Sequence, residues 1–286
     1  MKKSYMKYIT ALLLFGSNGI VASYISLQSY HIVFLRTMLG SILLVTLFFL
    51  TKHKLSIKNY PRDLLYISIS GIAMGASWIF LFEAYAQIGV SISSLLYYCG
   101  PVIVMIFSPF LFNEKLAVTK LVGLVAVICG IILLNGQATE RLNTWGIVCG
   151  SVSALLYAVM VIANKKATHI TGLENSCIQL LISFITVAVF VGYKTGYAFE
   201  IMNNDWVWIV LLGLVNTGIG CYFYFSSIGN LPVQTVAICG YLEPASAVIF
   251  SVIFLHETMS LWQFIGAALI IGGAVFGEMH LRSVIK

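Results

Sequence analysis

Charge is what this sequence has least of. Only 9% of its 286 residues are Asp, Glu, Lys or Arg, against 60% hydrophobic, and mean hydropathy is +0.97. A soluble domain carries about 25% charged residues, so that class is excluded. No G-x-x-x-x-G-K-[ST] run is present and the polar stretches are too short to fold an ATPase domain, so the chain has no nucleotide engine of its own. H-E-x-x-H and G-x-S-x-G are missing as well, which removes two common hydrolase signatures. The six cysteines, Cys99, Cys129, Cys149, Cys177, Cys221 and Cys239, show no C-x-x-C spacing and all fall in apolar runs. They are expected to pack as small apolar residues rather than form disulfides or hold a metal. His256 beside Glu257 would need further ligands to bind one. Neither a metal nor a cofactor is expected. The formal charge of +6 is scattered over short loops with no basic arm or stripe, so no nucleic-acid partner is expected either.

What the chain has is long apolar runs. A hydrocarbon core of about 30 Å needs about 20 apolar residues per helix. The pattern predicts ten spans, at 8–27, 31–51, 64–85, 91–112, 118–135, 145–163, 175–193, 206–226, 233–255 and 261–279. Continuous runs such as VIVMIFSPFLF and ALIIGGAVF lack the alternation of a barrel strand, so the expected fold is all-α. The opening MKKSYMKYITALLLFG has the look of a signal peptide but is read as an uncleaved first span. With the N-terminus inside, thirteen of the sixteen basic residues fall in inside segments, leaving Arg36 at the mouth of the second span, Arg141 and Lys194 outside. Both termini are therefore expected to be cytoplasmic.

A shift of 143 positions lays the second half on the first. Gly75 falls on Gly218, Tyr98 on Tyr241, Pro101 on Pro244, Glu114 on Glu257, Gly123 on Gly266 and Gly130 on Gly273. Leu and Ala matches mean little in apolar helices; the Pro, Glu, Tyr and Gly pairs carry the correspondence. Each unit, 1–138 and 139–286, holds five spans, an odd number, so the two must enter the membrane from opposite sides. Inverted repeats of this kind let a carrier present one central site to either face in turn.

The stretch PVIVMIFSPFLFNEKLAVTKLVGLVAVICGIIL and its counterpart EPASAVIFSVIFLHETMSLWQFIGAALIIGGAVF resemble the Pro-then-Glu-then-Gly signature of EamA-type transporters of the drug/metabolite transporter superfamily. FGSNGIVASYI is similar to that family's first helix, with Phe15 where Trp is common, and FLRTMLGS to its second-helix Arg. The resemblance implies ten transmembrane helices in two inverted repeats and a transport function. It does not fix the cargo, since the family covers amino-acid exporters, amine carriers and others.

Glu243 stands out because it lies near the middle of its span, where a carboxylate costs on the order of 3 kcal/mol even on lenient scales. It is expected to face a cavity, pair, or carry a proton as a gate or coupling site, since no basic residue of the inside loops can easily reach it; the alternative is a neutral acid hydrogen-bonded to a neighbouring helix. Pro244 loosens the helix at the same depth, as Pro101 does in the first unit, so both are candidate hinges. Trp78, Tyr97, Tyr98, Tyr157, Tyr222 and Tyr241 lie inside spans and are candidates to ring a central cavity; the alternative for each is lipid-facing or interhelical packing. Asn18 is a candidate contact for cargo or an interhelical hydrogen bond, and the same holds for Asn164. Glu83 sits near the outer end of the third span, as an interfacial group or part of an outer vestibule. Glu114 and Glu257 are expected to cap turns, Gln179 and Arg36 share one repeat position read as structural, and Ser260 to Gln263 forms a capping box. Gly71 with Gly75, and Gly146 with Gly150, have the spacing of close helix approach.

These residues point to a secondary transporter in the cytoplasmic (inner) membrane, moving an amino acid, amine or related metabolite, outward by alternating access. A passive channel, a sensor or, less favoured, an embedded enzyme are the competing readings. The expected partners are a small-molecule substrate and the lipid bilayer, with transport driven by the cargo's own gradient or by protons as a coupling ion, and the chain acting as a monomer or homodimer.

Overall fold

In a bilayer every backbone amide must find its partner within its own segment, and apolar runs joined by short polar links satisfy this as helices. The computed structural model describes residues 2–52, 55–115, 117–135, 143–194, 196–197, 199–255 and 260–279, and among them there are helices and no strands. The helices are α1 (Lys2–Gly16), α2 (Asn18–Ser23), α3 (Ser29–Leu50), α4 (Pro61–Tyr97), α5 (Cys99–Phe112), α6 (Val118–Asn135), α7 (Thr144–Lys166) and α8 (Gly172–Lys194). After α9 (Asp205–Val210) a π-helical segment (Leu211–Ile219) leads into α10 (Gly220–Ile228), followed by α11 (Val233–Gly240), α12 (Leu242–Leu255) and α13 (Leu261–Met279). Among the described residues six stretches are long and apolar enough to cross a membrane: Ser29–Leu50, Pro61–Ile88, Thr144–Lys166, Gly172–Lys194, Asp205–Ile228 and Val233–Phe254. Cys99–Phe112, Val118–Leu133 and Leu261–Gly277 are shorter apolar helices.

Local chemistry sets the ends. Pro61 opens α4, where a missing amide hydrogen costs nothing. Asn143 caps α7 by accepting from the Trp145 amide at 2.9 Å, and Lys165 and Lys166 close it where cations suit the helix dipole. The expected capping box is present: Ser260 N donates to Gln263 Oε1 at 2.9 Å and Gln263 N to Ser260 Oγ at 3.3 Å. Asn113, left-handed at φ 54°, ends α5. Glu114 then accepts from the amides of Val233 and Gln234, at 2.7 and 3.1 Å, and so caps α11 of the other half rather than its own turn. Glu257 and His256 lie outside the described residues.

Several expected spans are interrupted, for identifiable reasons. Tyr98 separates α4 from α5 and Tyr241 separates α11 from α12, with nearly identical φ, ψ of −71°, −2° and −71°, −6°. Pro101 and Pro244 stand three residues on; each lacks the amide that would close the turn and crowds the carbonyl four residues back. The Tyr241 hydroxyl donates to the Tyr98 carbonyl at 2.8 Å, so the two interruptions meet. Helical backbone continues from Pro61 to Tyr97, across the boundary expected between the third and fourth spans. The chain nonetheless reverses there. Ser70 bonds to the Met160 carbonyl and Ser77 to that of Ser153, and Ile88 abuts Gly146, so α4 descends α7. Leu96 then abuts Gly150, and Gly100 abuts Ala154 and Tyr157, climbing back along the same helix.

Glycines let the helices close up. A Cβ at Gly75 would lie 2.9 Å from the Ser183 oxygen and 3.0 Å from Thr186 Cβ; at Gly218 it would meet Leu43 at 2.7 Å and Gly40 at 3.4 Å. The partners of one glycine are the 143-shifted counterparts of the other's. Gly130 against Gly266 and Ile270, and Gly273 against Gly123 and Val127, repeat this between α6 and α13. A Cβ at Gly123 would stand 2.5 Å from the Gly273 oxygen, backbone that cannot swing aside. Gly123→Leu is therefore expected to separate α6 from α13 and cost about 1–3 kcal/mol or more. The check is a thermal-unfolding midpoint in detergent, set against Gly272→Leu, where nothing stands within 4 Å of the new carbon.

Candidate functional site

The repeat position that holds Gly100 in the first half holds Glu243 in the second. Gly100 lets Tyr157 and Ala154 close on the backbone, whereas Glu243, in the first turn of α12, puts a carboxylate into the middle of the bundle. It is half-buried, and the tyrosines around it reach in from both halves: Tyr8, Tyr85, Tyr97, Tyr98, Tyr157 and Tyr224 all stand within electrostatic range. Tyr97 meets Tyr157 edge-on with centroids 5.3 Å apart, and Tyr98 with centroids 5.6 Å apart. The Tyr157 and Tyr224 hydroxyls are 3.5 Å apart, and Tyr224 packs on Tyr8 at 5.3 Å and Phe15 at 5.9 Å. These contacts make a cage of aromatic rings with one acid in it, a setting that favours a cationic group.

The cation it faces belongs to the protein. Arg36, read from sequence as standing at the mouth of its span, is 8% exposed and two turns inside α3. Its Nε donates to Thr217 Oγ1 at 2.9 Å, and its guanidinium carbon lies 4.9 Å from the centre of the Trp78 ring. Glu243, Cys221, Tyr97 and Tyr85 are its electrostatic neighbours. The stacking and the single hydrogen bond make burial of the guanidinium tolerable, which a loop-end reading did not foresee. Gln179, at the matching repeat position, turns its amide to Met74 sulfur at 3.9 Å, and Met74 is the counterpart of Thr217.

Among the described residues neither the Glu243 carboxylate nor the outer nitrogens of Arg36 have a hydrogen-bond partner. The enclosed polar side-chain atoms without a partner are Thr119 Oγ1 and Ser183 Oγ. Lacking partners and not being among these sealed atoms, the Glu243 oxygens and the outer Arg36 nitrogens keep some accessible surface. A guanidinium and a carboxylate within electrostatic reach of each other and of the same tyrosines, each with bonding capacity unspent, can receive a molecule bearing opposite charges at its two ends.

Not every expected site residue joins this centre. Trp78, Tyr97, Tyr98 and Tyr157 do. Tyr241 is buried beside it with its hydroxyl committed to Tyr98, and Pro101 and Pro244 lie under the two interruptions. Tyr222 points away, with Lys7 Nζ 4.7 Å above its ring; its neighbour Tyr224 takes the central place. Asn18 accepts from Asn216 at 3.1 Å, and Asn164 is spent on Asn175 and Gln179, at 3.0 and 3.2 Å. Glu83 is paired with Lys194 at 2.6 Å and bonded to Tyr30 and to Gln87, beside a cavity of about 620 Å³ that Trp145, Phe190 and Tyr193 also line. That network ties three helices, α3, α4 and α8, together away from Glu243. Arg36, Tyr224, Tyr8 and Tyr85 are the members that sequence reasoning missed. For Arg36 the signal was present, since a repeat position holding Arg in one half and Gln in the other is polar in both.

The sequence profile of the EamA-like transporter family matches residues 2–136 and again 144–277. YxxF of Bacillus subtilis strain 168, named as an uncharacterized transporter, is 24% identical over 272 residues, covering 94% of this chain and 87% of its own. An uncharacterized transporter of Archaeoglobus fulgidus is 27% identical over 272 residues, covering 91% and 95%. YhbE of Escherichia coli K12, named as an uncharacterized inner membrane transporter, is 22% identical over 267 residues, covering 88% and 83%. A crystal structure 19% identical in sequence superposes with a TM-score of 0.84 over 97% of this chain and 98% of its own, which shows a shared fold.

Proposed function

From the premise that the chain belongs to the EamA-like transporter family, matched over both halves, we propose that it is a secondary transporter whose cargo is a small zwitterion of the amino-acid kind, with related amines as weaker ligands. The observation that carries this is the pair of unspent charges, Arg36 and Glu243, set among the same tyrosines, and the space between them is the proposed chamber. A carboxylate on the cargo would take the planar fork of Arg36, and an ammonium would take Glu243 and the ring faces.

The movement proposed is alternating access by ten membrane crossings in two inverted units, 1–138 and 139–286. The reversal of α4 along α7 supports separate third and fourth crossings. The paired glycine contacts, the meeting of Tyr98 with Tyr241, and the match of Arg36–Thr217 with Gln179–Met74 are what a half-turn between units would generate. Two units of five crossings, with basic residues gathered on one side, would leave both termini in the cytoplasm, and that is the orientation proposed. Export across the inner membrane is the proposed direction, with protons as the proposed coupling ion.

A thermal-stabilisation screen of the purified protein with amino acids, polyamines, choline-like amines and nucleosides tests the cargo class. Zwitterionic amino acids should raise the unfolding midpoint more than amines that lack a carboxylate. Equal stabilisation by decarboxylated analogues would remove Arg36 from the site.

A further inference from the structure

Two neighbouring residues of the π-helical segment serve different partners. A π turn sets an extra residue into the helical register, and such segments gather at functional sites. Thr217 is fully buried; its hydroxyl donates to the Leu212 carbonyl, five residues back, at 2.8 Å and accepts from Arg36 Nε at 2.9 Å. Asn216, also buried, turns to the break between α1 and α2. Its Nδ2 lies 2.9 Å from the Leu14 carbonyl, 2.8 Å from Ser17 Oγ and 3.1 Å from Asn18 Oδ1. An amide has two hydrogens for these three acceptors, while the Leu14 carbonyl, with two lone pairs, also accepts from the Ser17 hydroxyl at 2.7 Å. More than one pairing therefore satisfies the break.

The other side of the break rests on α12. A Cβ at Gly16 would lie 2.8 Å from the Glu243 carbonyl oxygen and 3.1 Å from the Ala247 nitrogen. The break thus touches the backbone of Glu243 directly, and it reaches Arg36 through Asn216 and Thr217. This path connects the two charged ends of the chamber without passing through the chamber itself. Discontinuous helices at a binding site are the parts of carriers that move, and coupling between sites needs an element with two discrete arrangements. The shared amide of Asn216 supplies one.

We propose that Asn216 is a positioning residue that couples Arg36 to the break in the first helix, so that the state of Arg36 sets how that break, and Glu243 with it, is held. The proposal rests on the reading of Arg36 and Glu243 as the two ends of the substrate site. It assigns Asn216 no contact with cargo.

The test reads the break without any substrate. Gly19, one residue into α2, is exposed on the helix bundle, and an added Cβ there meets nothing within 4 Å, so Gly19→Cys, in the purified protein in detergent, reports on the break through its rate of labelling by the small permeant N-ethylmaleimide. The unsubstituted chain gives the background from native cysteines. Asn216→Leu, which keeps the volume and removes both hydrogens, should raise the rate by about threefold or more. Thr217→Val and Arg36→Lys, which each remove the Nε contact, should raise it similarly, while Thr217→Ser keeps the parental rate. Added to Asn216→Leu, Arg36→Lys should change nothing further. Parental labelling in both Thr217→Val and Arg36→Lys would overturn the proposal, as would an Arg36→Lys effect that persists on the Asn216→Leu background. If Arg36→Lys does not fold, Thr217→Val against Thr217→Ser, alone and with Asn216→Leu, decides between the same outcomes. Failure of the unsubstituted protein to transport, with the labelling pattern intact, would count against the transport reading and leave the coupling standing.

Discussion

Arg36→Gln is expected to leave a folded, membrane-embedded protein that no longer recognises cargo carrying a carboxylate. Losing one partner of a buried charge-assisted contact costs about 3 kcal/mol, or on the order of 100-fold in apparent affinity. The loss should be selective. Ligands with an ammonium and no carboxylate should bind the variant about as well as the unsubstituted protein, because Glu243 and its rings remain. Arg36→Lys keeps the charge but gives up the planar fork and the Thr217 contact, and should fall between the two. Ligand-induced shifts in unfolding midpoint, measured for both ligand classes, check this. Uniform weakening of every ligand would point to a damaged scaffold.

Glu243→Gln should remove the opposite end. The substitution keeps shape and hydrogen bonding while deleting the charge, so folding should survive and affinity for the ammonium should fall on the order of 10- to 100-fold, the worth of a hydrogen bond to a charged group. In the unsubstituted protein uptake should decline toward acid pH, because a protonated Glu243 cannot attract an ammonium. The variant should give a low and flat profile. Vesicle uptake at several pH values decides between this and a scaffold role, in which rate and profile would both be unchanged. The two substitutions share one chamber, so their effects should not add: with one end gone, the second loses much of its importance.

The elements that could be read in the sequence were those governed by local rules. Apolar run length gave the helices, Ser260 and Gln263 their capping box, and the glycine spacings the close approaches, since each depends on residues a few positions apart. Pro101 and Pro244 marked two helix interruptions because proline acts on its own turn. The break at Ser17 and the π segment were not legible. No proline marks either, and what holds them is Asn216 reaching a helix some 200 positions away, to Leu14, Ser17 and Asn18. The tyrosine cage was partly legible. A tyrosine inside an apolar run was identifiable, but which face it takes depends on rotation about the helix axis. That rotation places Tyr224 beside Tyr157 and within electrostatic range of Glu243, and turns Tyr222 toward Lys7. Arg36 was misplaced because basic residues near helix ends usually mark the membrane interface. Its burial depends on Trp78 and Thr217, which come from two other helices.

This chain is expected to carry a zwitterion through a single chamber opened to one side at a time. Counterflow tests it most directly. Proteoliposomes are loaded with an excess of the amino acid that best stabilises the protein and diluted into a trace of the same compound, labelled. A carrier exchanges its occupied site across the membrane, so label should accumulate transiently inside above its equilibrium level, then decay, and Arg36→Gln should abolish the overshoot. Label that rises smoothly to equilibrium with no overshoot, at a rate indifferent to internal loading, would contradict the account and identify a pore.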